Sequence, residues 1–169
     1  MNRVWVSIGS NVERERHLRA ALAALREAFG ELVISPIYET PAEGFAGPPF
    51  YNLVAGFDTD RGPGEVQARL RAIEACNGRR RDTGKFSDRT LDIDILTFGD
   101  RTGDVEGLRL PRDEITRYAF VLRPLADVAG QERHPLLGST YAALWDRFSA
   151  QRPTPMRSVP LDDIEGSVS

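Results

Sequence analysis

Residues Leu91–Phe98, with the sequence LDIDILTF, alternate apolar residues with two aspartates and so have the period of a β-strand. Residues two apart in a strand point to the same face of a sheet. Asp92 and Asp94 are therefore expected to emerge together, while the apolar residues around them enter the core. The place of this strand in the order of elements decides the fold, and its carboxylates suggest a site.

The segments upstream of this strand alternate between strand and helix patterns. Val4–Ile8 is a short apolar β-type run, and the amphipathic run after it ends at Gly30. Strand patterns at Leu32–Tyr38 and Leu53–Thr59 flank a loop rich in proline and glycine, and a second helix pattern ends at Gly78. The order βαββαβ predicts an α+β, ferredoxin-like core, with an antiparallel sheet, both helices on one face and the other face free for a ligand.

The segments beyond this strand predict a C-terminal helical extension. Residues 100–107 are expected to form a loop, residues 120–128 are a short apolar segment, and an apolar stripe of helical spacing follows Ser139. The segment after Ala150 is rich in Pro, Ser and Asp and is expected to be loosely ordered. We therefore predict one domain over residues 1–150 and a loosely ordered tail over 151–169.

The overall composition excludes several classes of function. Twenty-two basic residues against 25 acidic ones leave a net charge of −3, which argues against nucleic-acid or membrane binding by bulk attraction. Cys76 is the single cysteine, and His17 and His134 are far apart in sequence, so neither a disulfide nor a zinc cluster is expected. With no leader or membrane span in the pattern, we expect a soluble, cytoplasmic protein.

The aspartate pair on one sheet face predicts a cation site. Adjacent carboxylates repel each other unless they are hydrated or neutralised by a cation or an arginine. Oxygen ligands without a nearby histidine or cysteine favour Mg²⁺, which takes one or two carboxylates together with substrate phosphates. The alternative for Asp92 and Asp94 is a solvated strand face.

The loop before this strand concentrates positive charge. It contains Arg79, Arg80, Arg81, Lys85 and Arg89. Arginines beside a metal site suit a triphosphate, whereas the alternative is a charged surface turn compensated by Asp82 and Asp88. Three aromatic residues in nearby loops, Phe45, Phe50 and Phe86, are candidates for stacking on a flat heterocycle or, alternatively, minor core residues.

Five segments in order resemble one known family. They are SIGSN (7–11), YETPAEGF with FYN (38–45 and 50–52), GRRR with KF (78–81 and 85–86), RTLDIDIL (89–96) and AFVLRPL (119–125). Together they resemble the 6-hydroxymethyl-7,8-dihydropterin pyrophosphokinase family from about Val4 to Leu125. The resemblance implies a ferredoxin-like enzyme that transfers pyrophosphate from ATP to the hydroxymethyl group of the pterin, releases AMP and serves folate biosynthesis.

The resemblance also implies a role for individual residues. Asp92 and Asp94 would bind two Mg²⁺ ions and, with Arg79 and Arg81 of the basic loop, form the catalytic set. The implied nucleotide site consists of Glu74, Arg79, Arg81, Lys85, Arg89, Ile95 and Arg112. The implied pterin site consists of Thr40, Glu43, Phe50, Asn52, Phe86 and Phe120, with the ring between Phe50 and Phe120.

Two positions depart from the pattern of the family. Arg112, after Pro111, stands where many members carry a histidine, and Tyr118 stands where many carry an arginine. We expect Arg112 to contact an ATP phosphate and partly replace the arginine missing at Tyr118; the alternative is a solvated loop charge.

Two other classes of function compete with this interpretation. One is a non-catalytic ferredoxin-like module that binds a nucleotide or a pterin, and the other is a metal-dependent nuclease, which the net charge disfavours. We expect ATP and the pterin alcohol as partners, neither nucleic acid nor membrane, and a monomer.

Overall fold

The computed structural model of the protein describes residues 1–42, 47–78 and 90–160 of the 169-residue chain. The elements are β1 (Asn2–Ser10), α1 (Arg14–Phe29), β2 (Val33–Ile34), β3 (Ile37–Thr40), β4 (Phe50–Thr59), α2 (Pro63–Cys76), β5 (Asp92–Phe98), β6 (Gly103–Val105), β7 (Leu108–Leu110), α3 (Glu114–Arg117), α4 (Ala119–Ala129), α5 (Tyr141–Gln151) and β8 (Arg157–Val159). This order confirms the predicted mixture of strands and helices.

The main sheet is antiparallel and has the strand order β5-β1-β4-β3-β8, with β2 also paired to β4. The long central strand β1 pairs with β4 on one side and β5 on the other. β2 and β3 replace the single strand predicted over Leu32–Tyr38. The break falls at Ser35 and Pro36: proline has no N–H to pair, and the Ser35 hydroxyl accepts a hydrogen bond from Val54 N at 2.8 Å.

One face of the sheet carries the first core, beneath α1 and α2. Alternate residues of β1 point there, and the two helices turn their apolar stripes toward them. The residues concerned include Val4, Val6 and Ile8 of β1, Leu18, Leu22 and Leu25 of α1, and Val66, Leu70 and Ile73 of α2. Both helices lie on one face, as predicted.

The opposite face is not free along its whole length, so that prediction was wrong. Trp5, Val54 and Leu96 point to this face and form a second core with α3, α4 and α5. The physical reason is the apolar stripe of α4, since Val121 and Leu122 are buried by packing on the sheet. The C-terminal extension therefore belongs to the core of the protein.

The predicted loop over residues 100–107 contains strand β6, which pairs with β7 in a hairpin. Glu106 and Gly107 connect the two strands, and both have positive φ, 51° and 86°. A two-residue connection of this kind matches the twist of an antiparallel pair and favours glycine at its second position. The loop prediction was wrong for Gly103–Val105 because this turn signal was not used.

The predicted loosely ordered tail contains strand β8, which pairs with β3 through Ile37–Val159 and Glu39–Arg157. Val159 is buried in the first core. The prediction was therefore wrong for Arg157–Val159, because β3 otherwise presents an unpaired strand edge and β8 covers it. Residues 161–169 lie outside the described part of the chain.

The contact between Trp5 and Gly56 gives a test of how the second core meets the sheet. A Cβ atom added at Gly56 would lie 2.3 Å from the Trp5 ring, which is 2 % exposed. We expect Gly56→Ala to lower the free energy of unfolding by about 1–3 kcal/mol, because the ring has to move within a packed core. Urea denaturation measures this change.

Gly64→Ala is the matched control for that variant. Its Cβ would lie 3.5 Å from Glu106 Oε1, which is ordinary contact, and residue 64 is in α2, where alanine is favoured over glycine. We expect the control to be neutral or stabilising. Equal destabilisation by both variants would contradict the packing argument at Gly56.

Candidate active site

A row of side chains crosses the sheet from its β5 edge towards β3. The register pairs Asp92 with Gly9, Gly9 with Asn52, and Asn52 with Tyr38. Residues paired across adjacent antiparallel strands share a face, so this row lies on one side of the sheet. Asp92 and Asn52 are two strands apart, about 10 Å at the usual strand spacing. The row thus has a carboxylate at one end and an amide near its middle.

The carboxylate end of this row has the geometry that the sequence predicts. Asp92 and Asp94 are partly exposed, while Ile93 between them is fully buried in the first core. Ser7 pairs with Asp94 as Gly9 pairs with Asp92. Two small residues of β1 therefore flank the two carboxylates and leave space above them.

Helix α2 holds the strand between the two aspartates. Glu74 Oε2 accepts a hydrogen bond from Ile93 N at 2.7 Å, and Arg71 Nη1 donates to Ile93 O at 3.0 Å. Arg71 Nη1 also donates to Glu74 Oε1 at 2.6 Å. Glu74, predicted to line a nucleotide site, is 1 % exposed. Its carboxylate supports the backbone of β5 in this structure.

Arg71 extends from this support to one of the aspartates. Its Nη2 donates to Asp94 Oδ1 at 3.2 Å, and the Asp94 side chain is 16 % exposed. The Gln67 amide, in the orientation that satisfies both of its polar ends, accepts from Arg71 Nε at 2.9 Å. The sequence analysis missed Arg71. The i, i+3 spacing of Arg71 and Glu74 on a helix was the available signal.

A second arginine approaches the aspartates from the segment after β7. Arg112 Nε donates to Glu114 Oε2 at 2.6 Å, and its backbone N donates to Leu96 O at 2.9 Å. Burial lowers the Arg112 pKa, but the Asp94, Glu114 and Asp92 carboxylates outweigh burial and raise it above its ordinary value. The Arg112 side chain is 37% exposed and paired with Glu114, and its contact with an ATP phosphate stays a prediction.

The middle of the row is a small polar cluster. Asn52 Nδ2 donates to Thr40 Oγ1 at 2.8 Å, and both residues are buried. A Cβ atom added at Gly9 would lie 2.8 Å from Asn52 Oδ1 and 3.8 Å from the Phe50 ring. The absent side chain at Gly9 therefore lets the Asn52 amide lie across β1, with Phe50 beside it.

Two aromatic residues stand at the start of α4. The rings of Tyr118 and Phe120 are stacked, with centroids 5.0 Å apart and planes 26° apart. Phe120 is partly buried against the second core, and so is Tyr118. Tyr118, where the resemblance noted in the sequence leads one to expect an arginine, thus contributes an aromatic face in place of a charge.

A partly buried network ties α4 to the far end of the row. The Tyr38 hydroxyl donates to Asp127 Oδ2, and the Arg123 guanidinium lies 4.9 Å from the centre of the Tyr38 ring. Burial, followed by the Asp127 hydrogen bond, raises the pKa of Tyr38 to about 12. Tyr38 therefore stays neutral near pH 7 and acts as a donor that anchors α4 to β3.

An ion-pair network supports the loop that leads into β4. Glu39 accepts from Arg14 at 2.7 Å and from Arg157 of β8 at 3.1 Å. Arg14 also donates to Pro49 O at 3.1 Å, and its guanidinium lies 3.8 Å from the centre of the Tyr51 ring. Helix α1, strand β8 and the residue before Phe50 are thus held together.

For several predicted site residues, the structure does not show a side chain beside the aspartates. Ile95 is 2 % exposed in the first core, on the face opposite Asp92, so only its main chain is available to a nucleotide. Other predicted residues lie outside the described part of the chain. These are Glu43, Phe45, Arg79, Arg80, Arg81, Lys85, Phe86 and Arg89.

The donor atoms near β5 fit a hard divalent cation. Asp92 and Asp94 supply carboxylate oxygens on one face, and Mg²⁺ typically takes one or two carboxylates and completes its coordination with water and phosphate oxygens. In the described ranges, no group of three or more His, Cys, Asp or Glu residues is arranged to hold a metal. The pair therefore suits an ion that shares its ligands with a substrate.

Comparison with known families decides the class of the protein. The family model for 7,8-dihydro-6-hydroxymethylpterin-pyrophosphokinase (HPPK) matches residues 5–130, which include most of β1 and all of β5 and α4. The chain belongs to this family. Membership confirms the predicted enzyme class and function, a pyrophosphokinase of folate biosynthesis that acts on small molecules.

Relatives of the HPPK family support this assignment over most of the chain. The 2-amino-4-hydroxy-6-hydroxymethyldihydropteridine pyrophosphokinase of Pseudomonas aeruginosa is 41% identical over 140 residues, 80% of this chain and 85% of that protein. The enzyme of the same name from Bacillus subtilis is 34% identical over 134 residues, 77% of this chain and 80% of that protein.

A solved HPPK structure shares the fold. Wild-type HPPK-DHPS of Plasmodium falciparum, solved with SDX-DHP, matches with a TM-score of 0.71 at 16% identity. The match covers 89% of this chain and 44% of that one, so this chain spans less than half of the solved protein.

No helix in the described part of our protein has the length and apolar character needed to cross a membrane.

The Glu39 network predicts a pH dependence of stability. The hydrogen bond from Arg14, opposed by burial and assisted by Arg157, lowers the pKa of Glu39 below its ordinary value of 4.5. A lowered folded-state pKa means that this stabilisation is complete above the ordinary pKa and is lost as pH falls through the folded one. We expect Glu39→Gln to lower the free energy of unfolding by about 1 kcal/mol at pH 7.

Urea denaturation between pH 3 and pH 7 measures the difference between wild type and Glu39→Gln. The difference should shrink as pH falls from about 4.5, where Glu39 of the unfolded chain takes up its proton, and should be smallest below the lowered pKa of the folded state, where Glu39 is protonated in both states. Glu27→Gln, at an exposed position of α1, is the control and should show little effect. A difference that stays constant over the whole range would contradict the ion-pair explanation.

Proposed function

We propose that this chain transfers pyrophosphate from ATP to the hydroxymethyl group of 6-hydroxymethyl-7,8-dihydropterin and releases AMP. The observation that carries the proposal is the row from Asp92 through Gly9 to Asn52. It offers carboxylates for a metal–phosphate group at one end and a buried amide for a heterocycle about 10 Å away. The relatives named for the same pterin support the choice of acceptor.

Asp92 and Asp94 are proposed to hold two Mg²⁺ ions together with the ATP phosphates. Their oxygen-only donor set and partial exposure support this role. Bound Mg²⁺ would neutralise phosphate charge and make the β-phosphorus a better electrophile.

The nucleotide is proposed to lie along the β5 edge of the sheet. Arg112 is held beside the aspartates by Glu114, so its charge faces the region where phosphates would bind. Arg79, Arg81, Lys85 and Arg89 remain predicted nucleotide contacts. Glu74 is proposed to act on the nucleotide indirectly, through its hydrogen bond to Ile93 N.

The pterin is proposed to bind over Gly9, between the amide cluster and the aromatic residues. Asn52 and Thr40 orient each other by a hydrogen bond, which leaves the Asn52 carbonyl directed over Gly9 as an acceptor. Phe50 and Phe120 are proposed to stack on the two faces of the ring, where aromatic contacts contribute about 0.5–1.5 kcal/mol each. Glu43 and Phe86 remain predicted contacts.

In the reaction, the hydroxymethyl oxygen attacks the β-phosphorus of ATP, and the bond from that phosphorus to the oxygen bridging the α-phosphate breaks. AMP leaves with the electron pair of that bond, and the hydroxyl proton passes to solvent. The protein residues act mainly by orienting the two substrates and excluding water, which lowers the entropic part of the barrier. Arg112 would stabilise the charge that develops on the phosphates.

We also propose that the core is ferredoxin-like. Four strands (β1, β3, β4 and β5) and two helices (α1 and α2) form this core. The order of the strands and the packing of α1 and α2 on the same face support the classification. A single domain that includes β8, a monomeric state and a cytoplasmic location remain proposals.

The activity test measures the nucleotide product. With ATP, Mg²⁺ and the pterin alcohol we expect AMP, and we expect slow hydrolysis without the pterin. Asp94→Asn should reduce turnover by at least about a hundredfold, because charge stabilisation of several kcal/mol is lost while the size of the side chain is kept. Asp104→Asn, exposed on β6, is the matched control. ADP as the product, or full activity of Asp94→Asn, would refute the proposal.

The proposed phosphate contact of Arg112 is tested by ATP binding. We expect Arg112→Ala to raise the dissociation constant of ATP about tenfold, the usual scale for one lost charge-assisted hydrogen bond. An arginine stays charged at any ordinary pH, so binding by the wild type should be flat between about pH 6 and 8, whereas Arg112→His should weaken as pH rises. Calorimetric titration with ATP measures all three proteins.

Arg109→Ala is the control for this series, because Arg109 is exposed on the neighbouring strand β7. Its affinity for ATP should match that of the wild type. Indistinguishable curves for wild type, Arg112→Ala and Arg112→His would remove the phosphate role of Arg112.

A further inference from the structure

Both main-chain groups of Ile93, the residue between the two aspartates, are occupied by side chains of α2. The Glu74 carboxylate accepts a hydrogen bond from Ile93 N at 2.7 Å, and the Arg71 guanidinium donates a hydrogen bond to Ile93 O at 3.0 Å. The two side chains are themselves paired at 2.6 Å. Together they occupy the outer edge of β5 as a neighbouring strand would.

β5 has no neighbouring strand on that side in the described sheet, where it is the terminal strand. An edge strand with unpaired main-chain groups can twist and slip. A slip of one residue would send Asp92 and Asp94 into the core and bring Ile93 to the surface. The pair formed by Arg71 and Glu74 therefore fixes the register at the one place where register decides the position of both carboxylates.

We propose that Arg71 is a positioning residue of the cation site, which rests on the proposed role of Asp92 and Asp94. Its Nη1 holds the backbone of β5, and its Nη2 holds Asp94 Oδ1 at 3.2 Å, which directs the other carboxylate oxygen away from the guanidinium. The planar fork of arginine can meet several oxygens at fixed angles, whereas lysine is a point charge. A lysine at position 71 would keep the charge and lose this geometry.

A simpler role for Arg71 has the opposite consequence. If Arg71 only compensated the charge of Asp94, its removal would increase the attraction of the carboxylates for a cation. If Arg71 positions Asp94, its removal weakens cation binding even though the local charge becomes more negative. Partners of this kind behind a metal ligand typically change metal affinity by 10- to 100-fold, about the size of effect expected here.

The test measures cation binding without turnover. The full chain is titrated with an ATP analogue that has a methylene group between its α- and β-phosphates, once with Mn²⁺ and once with EDTA. The ratio of the two dissociation constants gives the gain in affinity due to the cation. We expect Arg71→Lys and Arg71→Gln each to reduce this gain about tenfold. Arg69→Lys and Arg69→Gln, at an exposed position of α2, should leave it unchanged.

Hydrogen exchange at the Ile93 amide gives a second readout, because that N–H is donated to Glu74. Its protection should fall in both Arg71 variants. An undiminished cation-dependent gain in either Arg71 variant overturns the proposal, and an increased gain in Arg71→Gln identifies simple charge compensation. Asp94→Asn separates the cation site from the positioning role of Arg71. If Asp94→Asn loses the cation-dependent gain and the Arg71 variants keep it, only the positioning role is refuted. If Asp94→Asn keeps the gain, the cation site itself is refuted.

Removal of Arg71 leaves Glu74 buried without this ion pair, so circular dichroism must show that the variants are folded at the temperature of the titration. Gln67→Ala provides a milder variant, because it removes the amide oxygen that accepts from Arg71 Nε and Nη2 and keeps the ion pair of Arg71 with Glu74. We expect it to reduce the cation-dependent gain about threefold, less than the 10- to 100-fold typical of a direct partner of a metal ligand, because Gln67 acts on Asp94 only through Arg71. If the Arg71 variants do not fold, an unchanged gain in Gln67→Ala overturns the proposal.

Discussion

The register of β1 between β4 and β5 is the constraint on which the rest of the structure depends. It places Gly9 directly between Asp92 and Asn52, so one residue of the central strand separates the acidic end of the site from its amide end. The Asn52 carbonyl occupies the space that a side chain at Gly9 would need. A shift of β4 or β5 by one residue relative to β1 would turn these polar groups into the core. The strand register therefore determines whether the site exists.

The two carboxylates on one strand face repel each other, and two arginines from different parts of the fold offset this repulsion. Arg71 reaches Asp94 from α2, and Arg112 approaches both aspartates from the segment after β7. The main chain of Arg112 also bonds to Leu96 O, and the side chain of Arg71 bonds to Ile93 O. The same two residues therefore supply charge to the aspartates and support the edge strand that carries them.

The sequence predicted the parts that depend on local pattern. The spacing of Asp92 and Asp94 placed both on one face, and the apolar stripes placed α1 and α2 on the other. The sequence did not predict β8 or the packing of α3, α4 and α5 on the second sheet face, because both depend on contacts between distant segments. Arg71 escaped for the same reason: on a helix it resembles an exposed charge, and only the tertiary fold brings it to Ile93 and Asp94.

The second sheet face is divided between packing and chemistry along the strands. At one end Trp5 lies over Gly56 and packs against α4 and α5, and at the other Gly9 and Asn52 leave room over the sheet. Tyr38 and Asp127 join the two regions, since Tyr38 belongs to the polar row and Asp127 to α4. The aromatic pair at the start of α4 is therefore held in place by the core behind it. The C-terminal extension, which the βαββαβ pattern does not require, thus sets the position of Phe120 relative to the sheet.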